Sequence, residues 1–253
     1  MSDDIPRIHV LGDSHSRYFL PLNRFPDRVY DPSNAKWKIW GKEIQGASVS
    51  GFRPQQSKLN VEQDVTAAAK TEKRLLLTFG QVDLELGYYY RLIVKKEPIK
   101  RDTYVVWLAD IYQKFLETLL TEDCELAVKG VNMTVLAPKS FTARYVSRIV
   151  TDRQAMRPRF ANRIVEPVLL SEHEQNEMHF MFNECVAKFC KTLGIGYFDL
   201  NDDLRSETDP LVISDAFRPS IFDHHLADSI QVRRLHYQAA GKIFALDTEN
   251  VSA

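Results

Sequence analysis

Three short polar motifs in the 253-residue sequence carry side chains that could perform nucleophilic chemistry. They are Gly12-Asp13-Ser14-His15, Gly80-Gln81-Val82-Asp83 and Asp223-His224-His225-Leu226. A serine hydroxyl becomes a nucleophile when a histidine accepts its proton and a carboxylate orients that histidine. The first motif offers the serine and the last offers an aspartate with histidines. The sequence therefore predicts serine-dependent acyl chemistry.

These motifs can meet only if a common scaffold brings them to one edge. Short apolar runs bounded by turn residues predict five buried strands, over residues 7–11, 44–49, 74–79, 131–136 and 195–200. Such nearly continuous apolar strands are typical of a parallel sheet that is covered on both faces. Ligands of these sheets bind beyond the carboxyl ends of the strands, where the first two motifs lie.

Helical patterns separate the predicted strands. The clearest begins at a capping box formed by Ser171 and Glu174 and ends at Gly194. Others are predicted over residues 59–71, 102–122 and 229–247. The alternation predicts an α/β fold: a three-layer α/β/α sandwich with a mainly parallel five-stranded sheet of flavodoxin-like topology. We expect a single domain over residues 1–253, with insertions near 84–101 and 142–165.

The composition narrows the class of protein. Hydrophobic residues make up 44% and charged residues 26%, and 33 basic against 34 acidic side chains give a net charge of −1. This balance disfavours nucleic acid and anionic membranes as partners. The absence of an apolar run near ~18 residues and the acidic start predict a cytoplasmic protein. Cys124, Cys185 and Cys190 suggest reduced core residues rather than a disulfide framework, and no metal site or cofactor is expected.

Taken together, the motifs resemble those of the GDSL/SGNH hydrolase superfamily of α/β esterases and acyltransferases. Gly12-Asp13-Ser14 resembles the nucleophile block, and residues 46–51 resemble the second block. Residues 80–83 fall where the family has Gly-x-Asn-Asp, and residues 223–226 resemble the last block. The blocks follow the family's order from position 12 to position 226, nearly the whole chain.

The resemblance implies a role for each residue of the triad. Ser14 would be the nucleophile, His225 the general base and Asp223 the carboxylate that orients it. His225 is chosen over His224 because Leu226 follows it, as in the family's His-Leu pair. The last block departs from the family, since Asp223 precedes His225 by two positions rather than three.

The resemblance also implies an oxyanion hole from the N–H groups of Ser14 and Gly51. Here the family's oxyanion asparagine is replaced by Val82, which cannot donate a hydrogen bond. Gln81 is one candidate to replace it. The alternatives are that two backbone N–H groups suffice, or that the chain is a poor catalyst. For residues 46–51 the other interpretation is a loop whose glycines only permit a turn.

Further residues are candidates for contacts with substrate, namely Asp13, His15, Asp83, Tyr88 and His224. Each has a structural alternative. Asp13, His15 and Asp83 could be turn or cap residues, and at least one tyrosine of residues 88–90 should lie in the core. The arginines of residues 142–165 form either a solvated face or a surface that contacts phosphate.

The leading functional prediction is a serine-dependent esterase that hydrolyses an O-acyl ester on a small or carbohydrate substrate. One rival is an O-acyltransferase of the same fold, whose acyl-CoA donor could place its phosphates on the basic segment. Another is a non-catalytic carbohydrate-binding or scaffold protein, which the loss of the asparagine at Val82 motivates. The sequence leaves the acyl group and the oligomeric state open.

Overall fold

A computed structural model of the chain describes residues 5–20, 36–53, 59–120, 123–136, 139–154, 164–220 and 223–246. Five parallel strands form one sheet in the order β2-β1-β3-β4-β5. They are β1 (Arg7–Gly12), β2 (Lys38–Glu43), β3 (Arg74–Thr78), β4 (Glu125–Lys129) and β5 (Gly196–Phe198). The predicted α/β/α sandwich with flavodoxin-like topology is confirmed.

The α-helices are α1 (Val61–Thr71), α2 (Tyr88–Ile93), α3 (Arg101–Leu119), α4 (Lys139–Gln154), α5 (Glu172–Leu193), α6 (Asn201–Leu204) and α7 (Ile230–Ile243). The predicted capping box of α5 is present, because Ser171 and Glu174 satisfy each other's backbone N–H groups. Gly194 ends this helix with a φ of 70°. None of the helices in the described ranges is long and apolar enough to cross a membrane.

The apolar residues of the central strands alternate between the two faces of the sheet. Leu75 and Leu77 of β3 pack into the larger core, against helices α1, α3 and α5. Leu76 faces the opposite side and packs into a smaller core with Tyr237 and Phe244 from the region of α7. Because β3 is buried on both faces, it has the continuous apolar run that predicted it.

The predicted strand over residues 44–49 is wrong, because the second strand lies just before it, at Lys38–Glu43. β2 is an edge strand in which buried and more exposed residues alternate, and Trp40 is 45% exposed. It therefore lacks the continuous apolar run of a central strand. Ile44, Ala47 and Val49 are apolar because they are buried in a loop that leads into the 3₁₀ helix Val49–Phe52.

The predicted strand over residues 131–136 is also wrong, since β4 ends at Lys129. The segment is buried, but side chains of α5 hydrogen-bond its backbone in place of a neighbouring strand. Asn183 accepts the N–H of Val131 at 2.8 Å and donates to its carbonyl at 2.9 Å. Asn176 accepts the N–H of Thr134 at 2.8 Å. A segment that is buried without being paired to a strand gives the same apolar run in the sequence as a buried strand does.

Both regions expected to be insertions are helical where the structure describes them. Residues 83–93 form a π-helical segment, Asp83–Gly87, that continues directly into α2. The basic region begins within α4, whose last residue is Gln154, and residues 155–163 lie outside the described ranges.

We expect Asn183→Leu to destabilise the fold, because it leaves the N–H and the carbonyl of Val131 buried without partners. Each unsatisfied group should cost about 1–3 kcal/mol of unfolding free energy. Urea denaturation would measure the loss. Glu184→Leu, which introduces the same residue at an exposed position of α5, is the matched control. Equal stabilities of the two variants would contradict the role given to Asn183.

Candidate active site

Ser14, His225 and Asp223 form one hydrogen-bonded chain, although the first two are 211 positions apart. The Ser14 Oγ lies 2.8 Å from the His225 Nε2. The His225 Nδ1 lies 2.7 Å from the Asp223 Oδ1. Ser14 follows β1 directly, at the start of the 3₁₀ helix Ser14–Tyr18. The arrangement allows the histidine to accept the serine proton while the carboxylate fixes the imidazole tautomer.

The loop that holds His225 bends around the Asp223 carboxylate. Asp223 Oδ1 accepts the backbone N–H of His224 at 2.7 Å and that of His225 at 3.2 Å, as well as the His225 ring nitrogen. This wrapping is how the carboxylate reaches the ring from two positions away. The shortened spacing is therefore compatible with a closed triad geometry.

Burial and neighbouring charges keep His225 neutral. Burial, the charge of His15 and that of Arg17 lower the pKa of His225 to about 4, against the opposing effect of Asp223. Burial alone would raise the pKa of Asp223, but hydrogen bonds and charge from His225 lower it overall. At neutral pH the pair is therefore an imidazole beside a carboxylate, the state that a general base requires.

Two of the donors expected for an oxyanion hole, Gly51 and Gln81, donate to other groups in the structure. The Gly51 N–H donates to the Ser48 carbonyl at 3.0 Å. The Gln81 amide donates to Glu85 at 2.8 Å and to the Asn132 carbonyl at 3.2 Å. The expectation for Gln81 has to be revised, because both of its amide hydrogens are used in a buried network. Of the three expected donors, the N–H of Ser14 is the one for which the described residues offer no hydrogen-bond acceptor.

Asp83 organises the loop that faces Ser14's turn rather than offering a free carboxylate. It is 1% exposed and accepts the N–H of Val49 at 2.7 Å and that of Ser50 at 3.1 Å. Burial raises the pKa of Asp83 to about 6, although these hydrogen bonds oppose the shift. Asp83 therefore fits the alternative role of a turn or cap residue better than that of a substrate contact.

Asp13 and His15 are also buried, at 1% and 3% exposure. The Asp13 Oδ1 accepts the His15 backbone N–H at 2.9 Å and lies 3.2 Å from the His15 Nδ1. The His15 Nε2 lies 3.3 Å from the His224 carbonyl. Their hydrogen bonds place both side chains in a network beneath Ser14 and His225, and a direct substrate contact by either stays a prediction.

Tyr88 lies in the core, where its ring contacts the rings of Tyr89 and Tyr104. It is 6% exposed, so the expectation that it lines a substrate rim has to be revised. His224 keeps some exposure, 23% of its side chain, and its ring stacks on Tyr145 of α4 at 4.4 Å. Of the residues expected to contact substrate, His224 is therefore the one that lies at an accessible edge.

Two residues of this region carry no signal in the sequence. Glu85 belongs to the π-helical segment, and its Oε1 accepts hydrogen bonds from Gln81 and from Thr134, the latter at 3.1 Å. Tyr145 comes from the basic segment and covers the His224 ring. A π-helical turn inserts one extra residue and is frequent at functional sites, but no residue pattern announces it.

His15, His224 and His225 are the residues in the described ranges that could together hold a metal ion, since ring nitrogens of all three lie within 4.8 Å of one another. Both ring nitrogens of His15 and both of His225 already face hydrogen-bonding partners. A metal ion would have to displace these contacts. The donor set therefore fits a hydrogen-bonded network better than a metal centre.

Comparison with known proteins places the fold. No protein-family model and no curated protein sequence matches the chain. A carbohydrate acetylesterase from Sinorhizobium meliloti matches with a TM-score of 0.54 and 13% identity, over 95% of this chain and 99% of that one. The aryl esterase of M. smegmatis matches with a TM-score of 0.55 and 11% identity, over 96% of this chain and 100% of that one.

A lipolytic protein of the G-D-S-L family from Desulfitobacterium hafniense matches with a TM-score of 0.51 and 10% identity, over 94% of this chain and 98% of that one. At these identities the likeness establishes the fold. The chain shares the fold of these solved structures over nearly its whole length, which agrees with the resemblance indicated by the motifs.

The buried carboxylate of Glu85 predicts a stability that falls as the pH rises. Burial raises the pKa of Glu85 to about 7, although the charge of His15 and the hydrogen bonds from Gln81 and Thr134 oppose the shift. Between about pH 4.3, the ordinary glutamate value, and about pH 7, the folded chain holds a proton that the unfolded chain has lost. The free energy of unfolding should therefore decrease across this window.

Glu85→Gln should remove this contribution and flatten the decline, leaving the smaller one from Asp83. Urea denaturation between about pH 5 and pH 8 measures both slopes. Glu184→Gln, at an exposed position of α5, should keep the wild-type slope. Identical slopes for Glu85→Gln and the wild type would show that folding does not raise the pKa of Glu85.

Proposed function

We propose that the chain is a serine-dependent acyl esterase that hydrolyses an O-acyl ester on a small or carbohydrate substrate. One observation carries the proposal: the Ser14 Oγ lies 2.8 Å from a His225 nitrogen whose other ring nitrogen lies 2.7 Å from Asp223. Distances of this size are within hydrogen-bond reach, as proton transfer during attack requires.

In the proposed reaction the Ser14 hydroxyl attacks the ester carbonyl while His225 accepts its proton. Asp223 stabilises the imidazolium that forms. The tetrahedral intermediate collapses as the imidazolium protonates the leaving alcohol, which leaves an acyl group on Ser14. A water molecule activated by His225 then releases the acid and restores the serine.

The oxyanion of this intermediate would be stabilised mainly by the N–H of Ser14, since Gly51 and Gln81 donate their hydrogen bonds to other protein groups. Loss of a single oxyanion donor costs roughly 10²–10³ in rate. We therefore expect substrates with good leaving groups, such as aryl esters, to react faster than alkyl esters. Turnover of unactivated esters should be slow unless substrate binding rearranges the loop at Gly51.

The surroundings of the triad favour a small acyl group. Ser14 is 8% exposed and His225 is 5% exposed, so little of the reacting groups is open to a large substrate. The solved structures of similar fold include a carbohydrate acetylesterase and an aryl esterase, which supports short acyl esters as the first substrates to test.

Acyl transfer is a second candidate, because a basic helix borders the site. Tyr145 of α4 stacks on His224, and Arg144 and Arg148 of the same helix are exposed. These arginines could contact the phosphates of an acyl donor or acceptor. Formation of an acylated sugar in place of free acid would identify a transferase.

Ser14→Ala should abolish hydrolysis of short-chain aryl esters and labelling by a fluorophosphonate, because the nucleophile is lost. The thermal midpoint should change little, since the change removes one hydroxyl and leaves His225 its contact with Asp223. Mass spectrometry of the labelled wild type should place the adduct on Ser14. A wild type that neither turns over aryl esters nor accepts the label would support the non-catalytic alternative.

The two adjacent histidines should behave differently when each is replaced by alanine. His225→Ala should lower kcat by at least about 10³, as expected when a triad member is lost. His224→Ala should retain activity within about 10-fold of the wild type, because Ser14 pairs with His225, whereas the His224 ring packs against the rings of Tyr145 and His225. Rates of aryl ester hydrolysis measure both. The reverse ranking would move the proposed base by one residue.

A further inference from the structure

A second histidine lies against the proposed general base. The ring of His15 is 4.5 Å from that of His225, centroid to centroid, and the two planes are tilted by 38°. His15 is 3% exposed. Its Nδ1 faces the Asp13 Oδ1 at 3.2 Å, and its Nε2 faces the His224 carbonyl oxygen at 3.3 Å.

Both partners of the His15 ring are acceptors. A backbone carbonyl oxygen can only accept, and a carboxylate likewise only accepts. The Asp13 Oδ1 also accepts the backbone N–H of His15 at 2.9 Å, which fixes its role as an acceptor. A neutral imidazole has one N–H and can satisfy only one of the two contacts. An imidazolium has two and satisfies both.

We propose that His15 is an imidazolium at neutral pH and acts as a positioning residue, holding the His224 carbonyl so that the loop bend aligns His225 with Ser14. The inference rests on the proposed esterase function. It explains how Asp223 can orient a histidine only two residues away. The residue between them, His224, is held at its carbonyl by His15 and at its N–H by Asp223.

The charges around His15 are consistent with this state. Burial alone would lower the pKa of His15, but the hydrogen bond and charge of Asp13, the charge of Glu85 and the His224 carbonyl raise it overall. Titratable groups that interact with His15 come from its own turn, the π-helical segment, the loop 223–225, α5 and α7: Asp13, Glu85, His224, His225, His179 and His236.

The His15 charge also acts on the base. It contributes to the low pKa of His225, and so keeps that ring unprotonated and able to accept the Ser14 proton. Loss of the His15 proton at high pH would remove one of its two hydrogen bonds. The pH profile should therefore rise with deprotonation of His225 and fall again with deprotonation of His15.

Two substitutions separate the hydrogen bond from the charge. His15→Gln keeps an amide that can donate to the His224 carbonyl but carries no charge, and His15→Ala removes both. The matched control is His173→Gln, because His173 is an exposed residue of α5 whose ring pairs with Asp209. The rate of fluorophosphonate labelling at Ser14, measured across pH, is the kinetic readout.

We expect His15→Ala to lower the labelling rate by about 10–100-fold, as a misplaced base does. His15→Gln should recover part of this loss, its acid limb should move to higher pH, and its alkaline fall should disappear. His173→Gln should match the wild-type profile. A His15→Gln profile that superimposes on that of the wild type would overturn the inference.

A direct readout does not depend on activity. Nitrogen-15 NMR of the full chain with labelled histidine should show two protonated ring nitrogens on His15 at pH 7, in the wild type and in Ser14→Ala. A neutral His15 ring in both would overturn the inference even if labelling is normal. A wild type that takes no label would instead count against the proposed function, while the NMR result would still decide the state of His15.

Discussion

A single carboxylate oxygen determines where the proposed base can lie. The Asp223 Oδ1 accepts hydrogen bonds from the backbone N–H groups of His224 and His225 and also pairs with the His225 ring nitrogen, all within three consecutive residues. This converts an extended backbone, in which neighbouring side chains point apart, into a bend that presents the His225 ring to Ser14. The rest of the site follows from this bend: His15 contacts its carbonyl, and Tyr145 packs on its outer face.

The features that depend on local sequence could be predicted, and those that depend on tertiary contacts could not. β1, β3 and α5 follow from continuous apolar runs and from a capping box. The apolar pattern does not reveal the edge strand β2, because β2 is paired but only partly buried. The pattern misplaces β4, because residues 131–136 are buried without being paired to a strand. Ser14, Asp223 and His225 could be grouped by motif order, whereas nothing in the sequence places Glu85 beside them.

The ionisable side chains buried beneath the site lower the stability of the fold, and their hydrogen-bond partners offset part of this cost. Asp83 and Glu85 have raised pKa values, and the pKa of Lys129, which is 2% exposed, is lowered to about 8 mainly by burial. The Lys129 Nζ donates to the Gly130 carbonyl at 2.8 Å and to Asn132 at 2.7 Å. Glu85 links the segments that follow β3 and β4, and Asp83 links the first of them to the 3₁₀ helix Val49–Phe52. Rigidity at the site is thus obtained from interactions that do little for overall stability.

The distance in sequence between Ser14 and His225 has a consequence for synthesis of the chain. The proposed nucleophile is synthesised well before its proposed base, which follows only after 210 further residues have been added. β1 gains its second neighbour only when β3 has been made, since it lies between β2 and β3. If Ser14 and His225 act as proposed, a nascent or truncated chain that ends before His225 holds the serine without its base, and reactivity appears only once the chain has been translated through His225 and has folded.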